Sequence, residues 1–396
     1  MKTRKIVSLV LALVMLLAIA VPAGAEGFRK VKVAYATNAT DETFVGRKKG
    51  LEELVGPTLN MEFMYSEALS DAGALTTFIE NAFASGCEGV FVDLANAMDQ
   101  GAAVANDLGM WYVGVSSADS AVNYDLPYYV SVVGASAQGY GTSYATAIES
   151  VLSDGEEHSI LILSGAAAYG ATSFIEGTAG SLRALQEIYG LTYTRDINEL
   201  ATSSTSVDAE NDKGVKITVV PGMGPDLTNT VSPMLQSGEY DVVVGTTTIY
   251  GSLSVAVDEV EKATGKNIFF ISRDVLSDTI GNAFHTNDST GHPVMDAVVT
   301  QATFETVSGM ILLRNAIDGY ADNMRAGGRC SRVPGSAPLV VVSAEQFDIL
   351  SAEDIPFAFC TAEDILALTG PDATWEAIDA FGASLTTEAV IEKFNK

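Results

Sequence analysis

The chain has 396 residues, of which 47% are apolar and 18% charged, and a formal charge of −28 at pH 7. That apolar content supports cores for two or three domains of ~100–200 residues each and excludes a disordered chain. The acidity excludes a nucleic-acid surface and docking on anionic lipid, both of which require clustered basic residues.

Residues 1–25 have the three parts of a cleavable export signal: Lys2, Arg4 and Lys5, the apolar run Ile6 to Val21, and the site Ala23-Gly24-Ala25. The apolar run falls short of the ~20 residues that a membrane span requires. Export to the periplasm or cell envelope is therefore expected. No Cys follows the signal to carry a lipid.

Strand and helix patterns then alternate. Val31–Thr37 reads as a strand and Phe44–Val55 as a helix with Phe44, Leu51, Leu54 and Val55 inward and Lys48–Glu52 and Lys49–Glu53 as i,i+4 pairs outside. Leu59–Tyr65 is a strand, and Asp71–Ala84 a helix carrying Ala72, Leu75, Ile79 and Phe83, stopped by Gly86. Strand Val90–Leu94, helix Ala97–Leu108, strand Met110–Val115 and strand Tyr128–Val133 complete a first series, which ends at Gly134.

A second series begins with helix Tyr140–Leu152, strand Ser159–Leu163 and helix Thr172–Tyr189. Ala201–Gly214 is polar and reads as a surface loop before strand Val215–Val220 and helix Asp226–Gln236. The clearest unit follows. Tyr240–Gly245 is a buried-type strand, and Gly251–Thr264 a helix with Leu253, Ala256, Val257, Val260 and Ala263 on one stripe. Gly265 is its C′ residue, and Asn267–Ile271 is a second strand closing in Ser272-Arg273-Asp274. Strand Ala297–Gln301, helix Glu305–Tyr320, a loop over Ala321–Pro338, strand Leu339–Val342 and a tail with helical patterns at Ala362–Leu368 and Thr387–Phe394 finish the chain. Repeated βα units favour parallel sheets with helices on both faces, and there are too many for one sheet. The fold class expected is α/β, with two Rossmann-like lobes, parallel sheets flanked by helices, joined by a hinge.

Catalytic signatures are missing. No G-x-S-x-G elbow occurs, no phosphate loop precedes Gly265-Lys266, and Gly222-Met223-Gly224 lacks the third Gly of a dinucleotide loop. His158, His285 and His292 form no metal-type spacing with the three cysteines, and Asp208, Glu210 and Asp212 lack the Gly and terminal Glu of a calcium loop. No enzyme, metal or cofactor is expected. Cys87 reads as a small buried thiol, whereas Cys330 and Cys360 can pair under oxidising conditions.

In open parallel sheets, ligands sit beyond the carboxyl ends of the strands. Polar strand ends, the export signal and the stretches Val31–Tyr35 leading to Phe44, Gly86–Val92, Ile271–Asp274 and Val299-Thr300-Gln301 resemble the type I periplasmic binding protein superfamily. The branch resembled is that of the sugar-binding subunits of ABC importers, similar to ribose- and galactose-binding proteins. The resemblance implies that the chain crosses between lobes three times. It places residues 28–133 with 303–335 in an N-terminal lobe, and 134–302 with 336–396, the extended tail included, in a C-terminal lobe. It also implies that Asp274 and Gln301 reach sugar hydroxyls. Two positions depart from the family pattern: Ser116-Ser117 stands where an Asp-Arg pair is frequent, and Ile175 where an Arg is.

Strand ends nominate Asn38, Thr43, Phe44, Asp93 and Ser117 from the first lobe, and Tyr169, Thr246, Thr247, Arg273, Asp274 and Gln301 from the second. Carboxylates and amides suit paired sugar hydroxyls, and aromatic rings suit the apolar face of a pyranose. Each residue also has a plain structural role open to it: Phe44 in the core, Asp93 as a helix cap. The expected partners are a small-molecule ligand, a sugar, and an ABC permease, with no nucleic acid, and the chain is expected to be a monomer. Arg273 beside Asp274 also suits an anionic or zwitterionic solute, a nucleoside or an amino acid, and the same fold serves as a sensing module for a membrane receptor.

Overall fold

The computed structural model describes residues 27–94, 98–116, 125–153, 155–300 and 304–395. The export signal and the candidates Ser117 and Gln301 lie outside the described residues.

Two sheets organise these residues. The first contains β1 (Val31–Thr37), β2 (Met61–Ala68), β3 (Gly89–Asp93), β4 (Trp111–Val115), β5 (Tyr129–Val133) and β12 (Ser331–Val333), in the order β12-β5-β4-β3-β1-β2 and parallel throughout. The second contains β6 (Ile160–Leu163), β7 (Val207–Asp208), β8 (Ile217–Val220), β9 (Val242–Gly245), β10 (Phe269–Asp274), β11 (Ala297–Thr300) and β13 (Val340–Val341). Its order is β13-β11-β10-β9-β6-β8-β7, with antiparallel pairing only at β13 and β7. Central strands such as β6, β8, β9 and β11 are buried along their whole length, as a sheet covered by helices on both faces requires. The chain passes from the first sheet to the second after β5, returns after β11, and crosses again after β12.

Helix starts follow the capping chemistry. Asp41, Asp71, Ser136, Ser277, Ser343, Thr374 and Thr386 each accept a backbone N–H three residues on, and Thr361 forms a full capping box with Asp364. The helix Glu42–Gly50 runs on through a π turn, Leu51–Val55, and a last turn, Gly56–Leu59, so β2 begins two residues later than the apolar pattern implies. Asn60 ends it in the left-handed region at φ 51°, and its amide donates to the Phe28 carbonyl at 2.8 Å. Two loops expected from polarity hold structure. Within Ala201–Gly214, Val207–Asp208 pairs antiparallel with β8; within Ala321–Pro338, Ala321–Met324 is helical and β12 extends the first sheet. Strands of two or three residues are too short to leave a periodicity to read. Cys330 and Cys360 are separate buried thiols, hydrogen-bonded to the Ser331 and Ala358 carbonyls, so the pairing considered for them is not made.

The tail does not stay with the second lobe. Helix Ala344–Leu350 packs on helix Asp278–His285, with Phe347 5.9 Å from Phe284 and His285 2.7 Å from Asp348. The chain then crosses to the first lobe. Helix Ala362–Ala367 packs on residues 51–59, and helix Trp375–Ala383 on β12 and on helix Phe304–Asn315, where Phe381 meets Phe304 at 5.5 Å. The Asn315 amide donates to the Leu368 carbonyl at 3.0 Å and accepts from Gly370 N at 2.8 Å. The last helix, Thr387–Phe394, returns: Val340 N donates to the Thr387 hydroxyl, which donates to the Val340 carbonyl. Ile365, Ile378, Leu385 and Val390 thereby join one continuous apolar cluster with Leu51 and Leu59 of the first lobe and Ile280 of the second.

Candidate functional site

The strand ends of the two sheets are set level by register. In the first, Thr37 pairs with Asp93; in the second, Asp274 pairs with Thr300. The side chains at and above these ends form a charged cluster.

Arg47 is its centre on the first lobe. It lies on the helix capped by Asp41, three residues after Phe44 and four before Leu51, so it points inward with them. Burial of a guanidinium requires carboxylates, and two are supplied. Arg47 donates one Nη to Asp93 at the end of β3 and the other to Glu305 at 2.5 Å. Asp93 also accepts from the Tyr35 hydroxyl at 3.0 Å. Glu305 stands in the first turn of helix Phe304–Asn315, close behind the return from the second sheet. It accepts a hydrogen bond from the Ala135 backbone, in the first crossing, and feels the charges of Arg47, Asp93 and Arg273. Burial pushes its carboxyl up to about 7, and the nearby arginines oppose that rise.

The second lobe contributes Arg273 and Asp274 from the end of β10. Arg273 donates to the Tyr140 hydroxyl at 2.7 Å, lies 4.3 Å over the Tyr140 ring, and sits 5.2 Å from the Phe174 ring. Burial raises the Tyr140 pKa, and Glu305 adds to the rise while Arg273 and Arg47 oppose it, so charges of both lobes meet at this phenol. Asp274 accepts weakly, from Val275 N at 3.3 Å and the Ser272 hydroxyl at 3.4 Å, and burial pushes its carboxyl up to about 6. Arg47 Nε and Arg273 Nε are buried with no hydrogen-bond partner among the described residues. Such a donor costs ~1–3 kcal/mol until an acceptor reaches it.

Beside the cluster lies a cavity of about 380 Å³. Glu42, Thr43 and Arg47 line it from the first lobe, Val275, Leu276, Ser277 and Thr300 from the second, and Leu350 to Ala352 and Ile355 to Phe359 of the tail from the side. This is the size of a small-molecule site, for which ~300–1,000 Å³ is usual.

The nominated residues divide. Asp93, Arg273 and Thr43 meet in the cluster or the cavity wall, and Asp274 directly precedes the cavity-lining Val275. Phe44 packs in an aromatic group with Tyr35 at 5.8 Å and Tyr65 at 5.9 Å. Thr246 is fully buried and its hydroxyl donates to the Leu163 carbonyl at 3.1 Å, while Thr247 is buried beside Gly165. Asn38 is exposed, and Tyr169 is 85% exposed. Residue-by-residue reading missed Arg47, Tyr140, Glu305 and the tail. Arg47 alone left a signal, as a cation on the same stripe as Phe44 and Leu51.

Among the described residues no group of three or more His, Cys, Asp or Glu is placed to hold a metal ion, and no helix is long and apolar enough to cross a membrane. No protein-family model and no curated protein matches the sequence. Solved structures do match. An ABC-transporter solute-binding protein from Bacillus halodurans C-125 with bound myo-inositol aligns at TM-score 0.53 and 18% identity, over 81% of this chain and 96% of that one. A periplasmic solute-binding protein of an ABC transporter from Actinobacillus succinogenes 130z with bound D-allose aligns at TM-score 0.53 and 14% identity, over 81% and 99%. A periplasmic ribose ABC-transporter protein from Conexibacter woesei DSM 14684 aligns at TM-score 0.51 and 17% identity, over 82% and 96%. With two parallel-centred sheets, three crossings and a charged cluster at the strand ends, the chain has the fold of the type I periplasmic binding proteins.

Proposed function

We propose that this chain is an exported solute-binding protein that captures a small polar ligand, a sugar or cyclitol, between its lobes and delivers it to an ABC permease. The observation that carries the reading is the cluster of Arg47, Asp93, Glu305 and Arg273, drawn from both lobes and lying against a small-molecule cavity, with Asp274 next to the cavity-lining Val275. Charged donors and acceptors in fixed positions suit vicinal hydroxyls, each of which donates and accepts. A ligand drives closure only by contacting both lobes, and this cluster offers it groups on each. The proteins of similar fold carry myo-inositol and D-allose, which supports this ligand class. Binding and release involve no bond chemistry, and residues 1–25 act as the export signal.

The two unpartnered guanidinium Nε atoms support a second reading, an anionic or zwitterionic solute. Thermal-shift assays with myo-inositol, D-allose, D-ribose, nucleosides and amino acids separate the two. A ligand present at 100 times its Kd adds ~2.7 kcal/mol of stability. Stabilisation by a neutral polyol is expected. Stabilisation by amino acids alone selects the second reading, and none by any of these solutes removes both.

A further inference from the structure

The tail's first crossing, residues 351–356, runs between two firmly held ends. Leu350 is buried at the end of a helix seated on the second lobe through Phe347, whose ring lies where a Cβ on Gly281 would be. Phe357 is seated on the first lobe in the same manner: a Cβ on Gly50 would lie 2.1 Å from its ring. Six residues join these ends, and Leu350, Ser351, Ala352, Ile355 and Pro356 line the interlobe cavity with Phe357 to Phe359. The return crossing is different. It leaves helix Trp375–Ala383 where Gly382 abuts Gly335, in the linker between β12 and β13, and therefore runs alongside an existing connection of the lobes.

Backbone strain is concentrated at the first crossing. Ala358 and Phe359 take consecutive left-handed conformations, φ 54° and 59°, and apart from Asn60 they are the described non-glycine residues that do so. Such backbone strain in residues with a Cβ persists only where the surroundings hold it. Here they do: Ala358 is buried, and the Cys360 thiol donates to the Ala358 carbonyl at 3.3 Å.

We propose that Ser351–Phe359 is a strap across the interlobe cavity, which forms its third wall and limits how far the lobes part. The seven Cα–Cα steps from Leu350 to Phe357 reach at most about 25 Å when fully extended, so the lobes separate at the cavity only as far as the strap stretches or Phe357 leaves its seat on Gly50. The cavity therefore fills through movement of the strap as well as through rotation about the three lobe connections. The inference rests on the two-lobe fold and not on which solute fills the cavity.

The test measures lobe separation in the ligand-free mature chain. Asn38, just after β1, and Tyr169, closing the short helical turn after β6, are exposed on opposite lobes, and N38C with Y169C takes a pair of nitroxide labels while the three native cysteines are buried. A site-specific protease sequence replaces Ala352 to Asp354, and electron–electron distance distributions are recorded before and after complete cleavage. Cleavage is expected to shift the distribution to longer distances and broaden it, and uncut Phe357→Ala to move it in the same direction by less. An unchanged distribution in the cleaved, still folded protein overturns the strap. If cleavage unfolds the chain, Phe357→Ala decides alone, and an unchanged distribution there overturns the strap as well. Failure of every sugar in the thermal-shift assay removes the transport reading without touching this measurement.

Discussion

Arg47 and Glu305 stand 258 positions apart in the chain and 2.5 Å apart in space. One guanidinium Nη is committed to Glu305 and the other to Asp93, so a single cation fastens the first helix, the end of β3 and the start of the helix that follows the return crossing. A buried pair of this kind is weak evidence of net stabilisation, because desolvation offsets much of the attraction, but removal of one partner is expensive.

Arg47→Met is therefore expected to destabilise the protein by about 3–5 kcal/mol, since it strands two carboxylates. Glu305→Gln is expected to cost less, because Arg47 keeps Asp93 and the Glu305 carboxyl is already pushed up to about 7. Urea denaturation of both variants is the measurement. A loss for Arg47→Met no larger than the ~1 kcal/mol of an exposed ion pair contradicts the buried network.

Asp274 has weak partners inside the chain, and its carboxyl is pushed up to about 6 by burial. If it accepts from a ligand hydroxyl, affinity for a neutral sugar should rise with pH through 6 and level off above it. Asp274→Asn is expected to weaken binding roughly 10- to 100-fold and to flatten that profile. Calorimetric titration from pH 5 to 8 with whichever polyol stabilises the protein provides the check; an unaltered profile places Asp274 outside the site.

Gly50 and Phe357 share one volume. Gly50→Ala sets a Cβ 2.1 Å from the Phe357 ring and is expected to cost ~1–3 kcal/mol as the ring is displaced. In Gly50→Ala/Phe357→Ala the clash is gone, so the double variant should be less destabilised than the two single losses added. Strict additivity in this cycle would mean that the two residues do not touch.

Glu261 is 2% exposed and accepts from Ile268 N at 2.9 Å. Burial, with Asp288 nearby, pushes its carboxyl up to about 7. The folded-state value lies above the unfolded one, so its contribution is full below the ordinary carboxylate range and is lost as pH rises through 7. Asp296, which accepts from Phe270 N at 2.7 Å and is likewise raised by burial to about 7, acts in the same direction. Glu261→Gln keeps the acceptor and removes the titration. Its melting temperature should exceed that of the parent at pH 8, and the gain should vanish near pH 5. An equal gain at both pH values would refute the assignment.

Much of the fold was legible because its determinants are local. The run Tyr240–Gly245, the stripe from Leu253 to Ala263, and Gly265 at the helix end predict a strand, a helix and its stop, and the structure has β9, helix Tyr250–Thr264 and β10 in those places. The site was legible in part. Asp93 and Arg273 were named from strand ends and lie in the charged cluster, but Thr246, named by the same rule, spends its hydroxyl on the Leu163 carbonyl. Position at a strand end brings a residue to the right height in the sheet; rotamer and neighbours then decide between crevice and core.

Periodicity, capping residues and turn glycines in the sequence by itself determined an α/β chain of repeated βα units divided between two sheets, because each of these signals acts within a turn or a strand of its own residue. Only the tertiary structure decided that Arg47 would hold Asp93 and Glu305, that Arg273 would lie on Tyr140, and that the tail would cross from lobe to lobe beside the cavity. Those choices depend on which surfaces remain uncovered once both sheets have formed. A contact between residues 47 and 305, or 50 and 357, imposes no pattern on the residues beside either partner, and so it becomes visible only when the folded chain brings them together.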